Sequence, residues 1–248
     1  MASTAKTLRI GVLYEETQMT DLAGLDIIGN CSTKTLEMVR SLMPAAVESL
    51  MPFATPMEFL YISSSDDLAW TTPEMYVKPT HTYATAPRDL DIILIGGPNP
   101  LNVPEESLVF LKEAAKQTKT ILTTCTGAMW LAKAGVLDGK KATTNRMFVE
   151  TAKQIFPKVE WLDQRWVTVE GHFESAQIWT AGGAGCGELP SLPSILIHYA
   201  NPSSGIDMTI EYALENFHKK LVGLTCLGLD FDIEGRNQFY KGPVPALV

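Results

Sequence analysis

The chain moves between two hydrophobic rhythms. Short apolar runs at residues 8–14 (LRIGVLY), 57–62 (MEFLYI), 91–95 (DIILI), 120–124 (TILTT) and 178–180 (IWT) read as strands. The four consecutive aliphatic residues of DIILI mark a central strand with both faces covered. Between the strands apolar residues recur every three or four positions, the helical spacing. This predicts a helix after the first strand with Leu22, Leu25 and Ile28 inward, and another over 35–50. It also predicts a helix over 104–117, with proline in its first turn and Glu105 and Glu106 at the positive end of its dipole. Further helices are predicted from about 147 to 156 and over 206–222, the latter with Ile206, Ile210, Ala213, Leu214 and Phe217 on one face. Residues 63–88, rich in Pro, Thr and aromatics, predict short antiparallel pieces or a hairpin beside the main sheet, and 159–162 with 165–169 predict a hairpin through Asp163 and Gln164. Strands alternating with helices predict a doubly wound α/β sheet, which 248 residues fill as one domain.

One junction stands out. The strand-like TILTT runs straight into Cys125-Thr126-Gly127 and then into a helical pattern through Ala128, Met129, Leu131 and Ala132, which puts Cys125 on a strand-to-helix turn. A thiol there feels the positive end of the helix dipole, which favours thiolate, and the N–H groups of Thr126 and Gly127 are placed to hold a developing oxyanion. Gly127 leaves room for a neighbouring backbone or a ligand. The other reading is a structural cysteine, the common fate of a buried thiol.

Charge and cysteine usage narrow the chemistry. A net charge of −8 without basic patches argues against nucleic acid and anionic membrane as partners and leaves small molecules. No apolar run is long enough to span a membrane, and the first residues carry no secretory signal. Cys31, Cys125, Cys186 and Cys226 are scattered without a CxxC pair, so neither a metal site nor a disulfide framework is expected, and a reducing cytoplasm is.

Candidate partners for Cys125 come from the ends of other strands. Asp21 falls where the first loop enters its helix, as an N-cap or as a carboxylate delivered to the C-terminal edge of the sheet. Glu15 and Glu16, nearer the strand end, compete for that role. Gly96 and Gly97 close the central strand, and one of their N–H groups offers a second oxyanion donor. His81, in a Thr/Tyr-rich loop, reads as a local hydrogen-bonding residue.

Taken together, TQMTDLAG, DIILIGGP, TTCTGAMWLAKAGVLDGKKATTN, WTAGGAG and GIDMTIEYALE resemble the DJ-1/PfpI superfamily, the class I glutamine-amidotransferase-like fold, and its isocyanide hydratase branch most of all. The resemblance implies a flavodoxin-like sandwich with a cysteine nucleophile elbow, Cys125 as nucleophile and Thr126 on the oxyanion side. It makes Asp21 the acid facing the cysteine, with one more residue after Gln18 than the T-Q-x-D spacing of that branch. It also implies a homodimer. Many relatives carry histidine after A-T-T, where this chain has Asn145. An amide does not titrate, so Cys-His chemistry is disfavoured and a Cys-Asp pair remains.

A second departure is an insertion. Relatives run from G-A-G-x directly to G-I-D, whereas residues 187–204 (GELPSLPSILIHYANPSS) intervene here. We read these eighteen residues as a translated, unspliced intron, the other reading being a genuine loop: Gly-Glu fits a GTGAGT donor, Ala-Asn a GCTAAC branch site and Ser-Gly a CAG acceptor. Residues 224–248 read as a C-terminal tail packing on the surface or a partner. The expectation is a cofactor-free, cysteine-dependent hydratase or lyase acting on a small electrophile. Glyoxalase or deglycase activity is the alternative, and a redox-sensing or ligand-binding module without turnover is the third reading.

Overall fold

The computed structural model describes residues 6–183, 204–233 and 236–240. Its frame is a seven-stranded sheet in the order β10-β11-β7-β6-β1-β2-β5. The strands are β1 (Leu8–Leu13), β2 (Met57–Ser63), β5 (His81–Thr82), β6 (Ile92–Ile95), β7 (Thr120–Thr124), β10 (Trp166–Glu170) and β11 (Gln177–Ala181). All neighbours pair in parallel except β10, which runs antiparallel to β11 at the sheet edge. This is the expected flavodoxin-like α/β sheet, with DIILI at its centre.

Alternation along β6 shows why both faces are apolar. Ile93 and Ile95 join one core with Phe110, Leu111, Trp130 and Leu131, while Ile92 and Leu94 join another with Trp179, Met208 and Tyr212. The first core is covered by α4 (Glu105–Ala114), α5 (Gly127–Lys133) and α6 (Val149–Ile155). The second face is covered by α1 (Gly24–Gly29), α7 (Ser204–Asn216) and α8 (Lys219–Gly228), whose Ile27, Ile206, Ile210 and Leu221 meet in a third cluster with Cys31 and Cys226. Parallel strands all point their C-terminal ends the same way, so β1, β6 and β7 deliver their following loops to one rim. Among the described residues no helix is long and apolar enough to cross a membrane.

Four expectations need correction. The helix over 35–50 is two, α2 (Thr33–Met38) and α3 (Pro44–Leu50), because Met43 precedes a proline and takes φ −138° and ψ 55°, outside the helical region. The helix over 206–222 breaks at His218, which is extended at φ −67° and ψ 125° while its ring stacks on Phe53 at 3.7 Å. The hairpin through Asp163 and Gln164 does not form. Instead β9 (Glu160–Trp161) pairs in parallel with β8 (Lys141–Ala142), β10 joins the main sheet, and Asp163 binds Arg146. Finally, Leu224 to Gly228 belong to α8 rather than to a tail. The hairpin within 63–88 does form, as β3 (Ala69–Thr71) and β4 (Met75–Val77), and His81 bonds its neighbour Thr80 at 3.0 Å.

The proposed intron, residues 187–204, lies outside the described residues but for Ser204. Its flanks are informative, since the Gly205 N–H donates to the Gly183 carbonyl at 3.2 Å. If the eighteen residues were removed, Gly205 would follow Gly183 by four positions, and that bond would become an ordinary i to i+4 helical-turn bond. A variant lacking 187–204 is therefore expected to fold and to unfold cooperatively in a circular-dichroism melt. A chain without a cooperative transition would refute the excision, and cDNA that always retains the segment would refute the intron origin.

Candidate functional site

The site is built where β7 ends. Cys125 adopts φ 59°, a left-handed conformation costly for a residue with a Cβ and found mainly where surrounding structure enforces it. The enforcement is visible on three sides. The Cys125 N–H donates to the Gly182 carbonyl at 2.8 Å and to that of Ala181 at 3.1 Å, while the Cys125 carbonyl accepts from Thr144 Oγ1 at 2.9 Å. Thr126 Oγ1 donates to the Pro98 carbonyl at 2.7 Å, tying the elbow to the loop after β6.

Gly127 opens α5 for a packing reason. A Cβ there would meet the carbonyl oxygens of Ile95 and Gly96 at 2.5 and 2.7 Å, so backbone, not a ligand, fills the space its missing side chain leaves. Gly97 is the other close approach. A Cβ on it would lie 2.7 Å from Asp21 Oδ2 and 3.0 Å from Cys125 Cβ, so glycine lets the acid and the thiol meet across this backbone.

Asp21 is not an N-cap. It sits inside the 3-10 turn Met19–Leu22, buried at 3% exposure, and its Oδ2 accepts the Gly97 N–H at 3.0 Å. Its carboxyl lies beside the Cys125 thiol, close enough for each to shift the other's ionisation. The Gly97 N–H is thus engaged in orienting the acid. Glu15 turns away: its carboxylate accepts the Ser64 N–H at 2.6 Å and the Ser63 and Ser64 hydroxyls, and Glu16 is exposed. Asn145 donates from Nδ2 to Cys125 Sγ at 3.3 Å, and its Oδ1 accepts the Met147 N–H at 3.1 Å. The adjoining Thr126 N–H also favours negative charge on the sulfur.

These surroundings reverse the expectation of a resting thiolate. Burial, with the Asp21 charge next, pushes the Cys125 thiol up to about 12 against the donors Asn145 and Thr126. Burial likewise pushes the Asp21 carboxyl up to about 6, against its bonds from Gly97 and Cys125. Two buried acids in contact titrate as a pair, and near neutral pH this pair holds one proton and one negative charge. The short α5 does not outweigh burial.

Cys125 and Thr126 open onto a cavity of about 430 Å³ lined by Leu101, Met129, Phe148 and Ile155, by prolines 98 and 100, and by the uncharged polar Gln18, Asn99, Asn145 and Thr151. Sequence reading missed this wall, although Phe148, Thr151 and Ile155 recur at the i, i+3, i+7 spacing of one helix face. Among the described residues no group of three or more His, Cys, Asp or Glu side chains converges to hold a metal.

A sequence model of the DJ-1/PfpI family matches residues 48–185, more than half of the chain. The chain belongs to the DJ-1/PfpI family. Within it, a stretch of 74 residues, 29% of this chain, is 38% identical to the isonitrile hydratase of Pseudomonas putida and spans only 32% of that relative's length. Among solved structures, a THiJ/PfpI family protein from Pseudomonas syringae superposes with a TM-score of 0.65 at 19% identity, over 96% of this chain and 80% of its own. Drosophila melanogaster DJ-1beta gives 0.61 at 13% identity, over 92% of this chain and 100% of its own. Schizosaccharomyces pombe DJ-1 gives 0.59 at 15% identity, over 91% and 100%. At such identities the likeness to these structures is one of fold.

Replacing Asp21 by Asn removes the charge that opposes ionisation of Cys125. Iodoacetamide should then alkylate Cys125 about tenfold faster at pH 8, one pKa unit being a factor of ten in thiolate. A rate equal to or below that of the unaltered protein would contradict the pairing.

Proposed function

We propose that this DJ-1/PfpI family member is a cofactor-free lyase that hydrates small, neutral isocyanides to N-formyl amines. The observation that carries the reading is that Cys125, with the buried Asp21 behind it across Gly97, opens onto a cavity without a charged lining residue. The partial kinship to a protein named isonitrile hydratase supports it. Among the described residues Cys31, Cys125 and Cys226 are free thiols, which suits a cytoplasmic setting, and the family resemblance carries a homodimer with it.

The chemistry follows from the proton inventory. An isocyanide carbon is electrophilic and has no hydrogen, so a nucleophile and a proton must both be delivered to it. The Cys125 thiol passes its proton to Asp21 as sulfur bonds to that carbon, and Asp21 returns the proton to the same carbon, leaving a thioimidate. Asp21, again ionised, takes a proton from water as hydroxide adds to the carbon, and the nitrogen receives that proton. The hydroxyl proton then leaves through Asp21 as the C–S bond breaks, which restores the thiol and releases the formamide. Asn145 Nδ2, which donates to Sγ, and the adjoining Thr126 N–H stabilise charge on the departing sulfur.

An aryl isocyanide incubated with the purified protein should yield the formanilide. Cys125→Ser and Asp21→Asn should each lower turnover roughly 100-fold or more, the scale of a lost nucleophile or proton carrier. Conversion of methylglyoxal without conversion of the isocyanide would move the assignment to the glyoxalase reading. The uncharged lining and the anionic pair also oppose a negative substrate. A carboxylate-bearing isocyanide should show kcat/KM at least about tenfold below that of its methyl ester, since a buried unpaired charge is costly. Equal values would contradict the pocket argument.

A further inference from the structure

The segment 236–240 returns to the site from the far end of the chain. Its backbone carbonyls at Gln238 and Asn237 accept from Arg165 N–H at 2.8 Å and Arg165 Nη1 at 2.6 Å, and Gln238 Nε2 donates to the Trp166 carbonyl at 2.9 Å. Arg236 Nε donates to Glu211 on α7 at 2.8 Å. The segment is thereby pinned along the start of the edge strand β10, and it ends by laying Tyr240 over Arg146.

Arg146 adjoins Asn145 in sequence and is itself almost buried. Its guanidinium is bidentate on Asp163, at 2.8 and 2.9 Å, and its Cζ lies 4.2 Å from the centre of the Tyr240 ring. The Tyr240 hydroxyl meets Ser204 Oγ at 3.4 Å and packs against Gly182, whose carbonyl holds the Cys125 N–H. Two short paths therefore run from one aromatic ring to the sulfur: through Arg146 to the Asn145 amide, and through Gly182 to the elbow backbone.

We infer that Tyr240 is a positioning residue for Cys125: the segment 236–240 clamps the Arg146 turn and so keeps the Asn145 amide directed at Sγ. This rests on the reading of Cys125 as the nucleophile but not on any substrate. An aimed amide lowers the free energy of the thiolate, whereas a turn released from Tyr240 and Arg146 leaves the amide free to rotate toward solvent. The group with charge that faces the sulfur is Asp21; Arg146, Asp163 and Arg165 face Tyr240, and none of these is altered by a change at Tyr240 itself.

Thiol alkylation with iodoacetamide, followed by mass spectrometry of the Cys125 peptide across pH 6 to 10, reads this out independently of the isocyanide assay. Asn145→Ala should slow alkylation at pH 8 about tenfold, the scale of one hydrogen bond to a charged atom. Tyr240→Ala should slow it severalfold throughout that range, whereas Tyr240→Phe, which keeps the ring over Arg146, should match the unaltered protein. The double variant Asn145→Ala with Tyr240→Ala should be no slower than Asn145→Ala alone, because both changes remove the same interaction. If Tyr240→Ala does not fold, Tyr240→Leu keeps apolar bulk beside Gly182 and is expected to slow alkylation in the same way. Additive losses in the double variant, an unchanged rate in the variants without the ring, or a Phe variant as slow as they are would each overturn the assignment.

Discussion

A single proton shared between a buried thiol and a buried carboxyl is the constraint on which this molecule turns. Neither Cys125 nor Asp21 is well solvated, and both cannot be anionic at close range without a large electrostatic cost. One therefore holds the proton that the other lacks. In the proposed reaction that arrangement would supply a nucleophile and a proton carrier without a histidine, with Asn145 beside them. An amide cannot titrate, but it can donate to sulfur in every protonation state of the pair.

Much of the fold serves to keep those two groups in register. The β6 and β7 strands pair from Ile92 with Thr120 through Ile95 with Thr123, which brings the Gly96-Gly97 backbone alongside the elbow. Gly97 then lies between acid and thiol, and its N–H fixes the carboxylate at 3.0 Å. Pro98, Thr144 and Gly182 hold the elbow from the β6 loop, from the turn after β8 and from the end of β11. The strained backbone of Cys125 is maintained by these independent contacts, each of the size of an ordinary hydrogen bond but jointly sufficient to offset a cost of about 1–3 kcal/mol.

Most of the frame was legible in the sequence because buried parallel strands advertise themselves. After Asp91, the run Ile92 to Ile95 has no polar residue to place on a solvent face, and TILTT leads into Cys125 with a helix pattern close behind. The elbow was legible for the same reason, being a junction of two periodicities. What sequence reading misplaced were features decided by distant contacts. Asp163 looked like a turn residue but is taken by Arg146, and His218 interrupts a good amphipathic pattern because its ring packs on Phe53. The ionisation of Cys125 was read from the helix dipole alone, whereas burial and the Asp21 charge dominate it. Tyr240 carries no local signal at all, since its relation to the site exists only once the chain has folded back along β10.

The most direct test of the shared proton is a carboxyl-carbon NMR titration of Asp21 in the folded protein with Cys125 unmodified. An inflection near 6, well above the ordinary aspartate value of 3.8, is the result expected for a buried carboxyl that meets a thiol. An inflection at or below the ordinary value would mean that Asp21 is solvated or paired with a cation, and the proton-sharing account would fall.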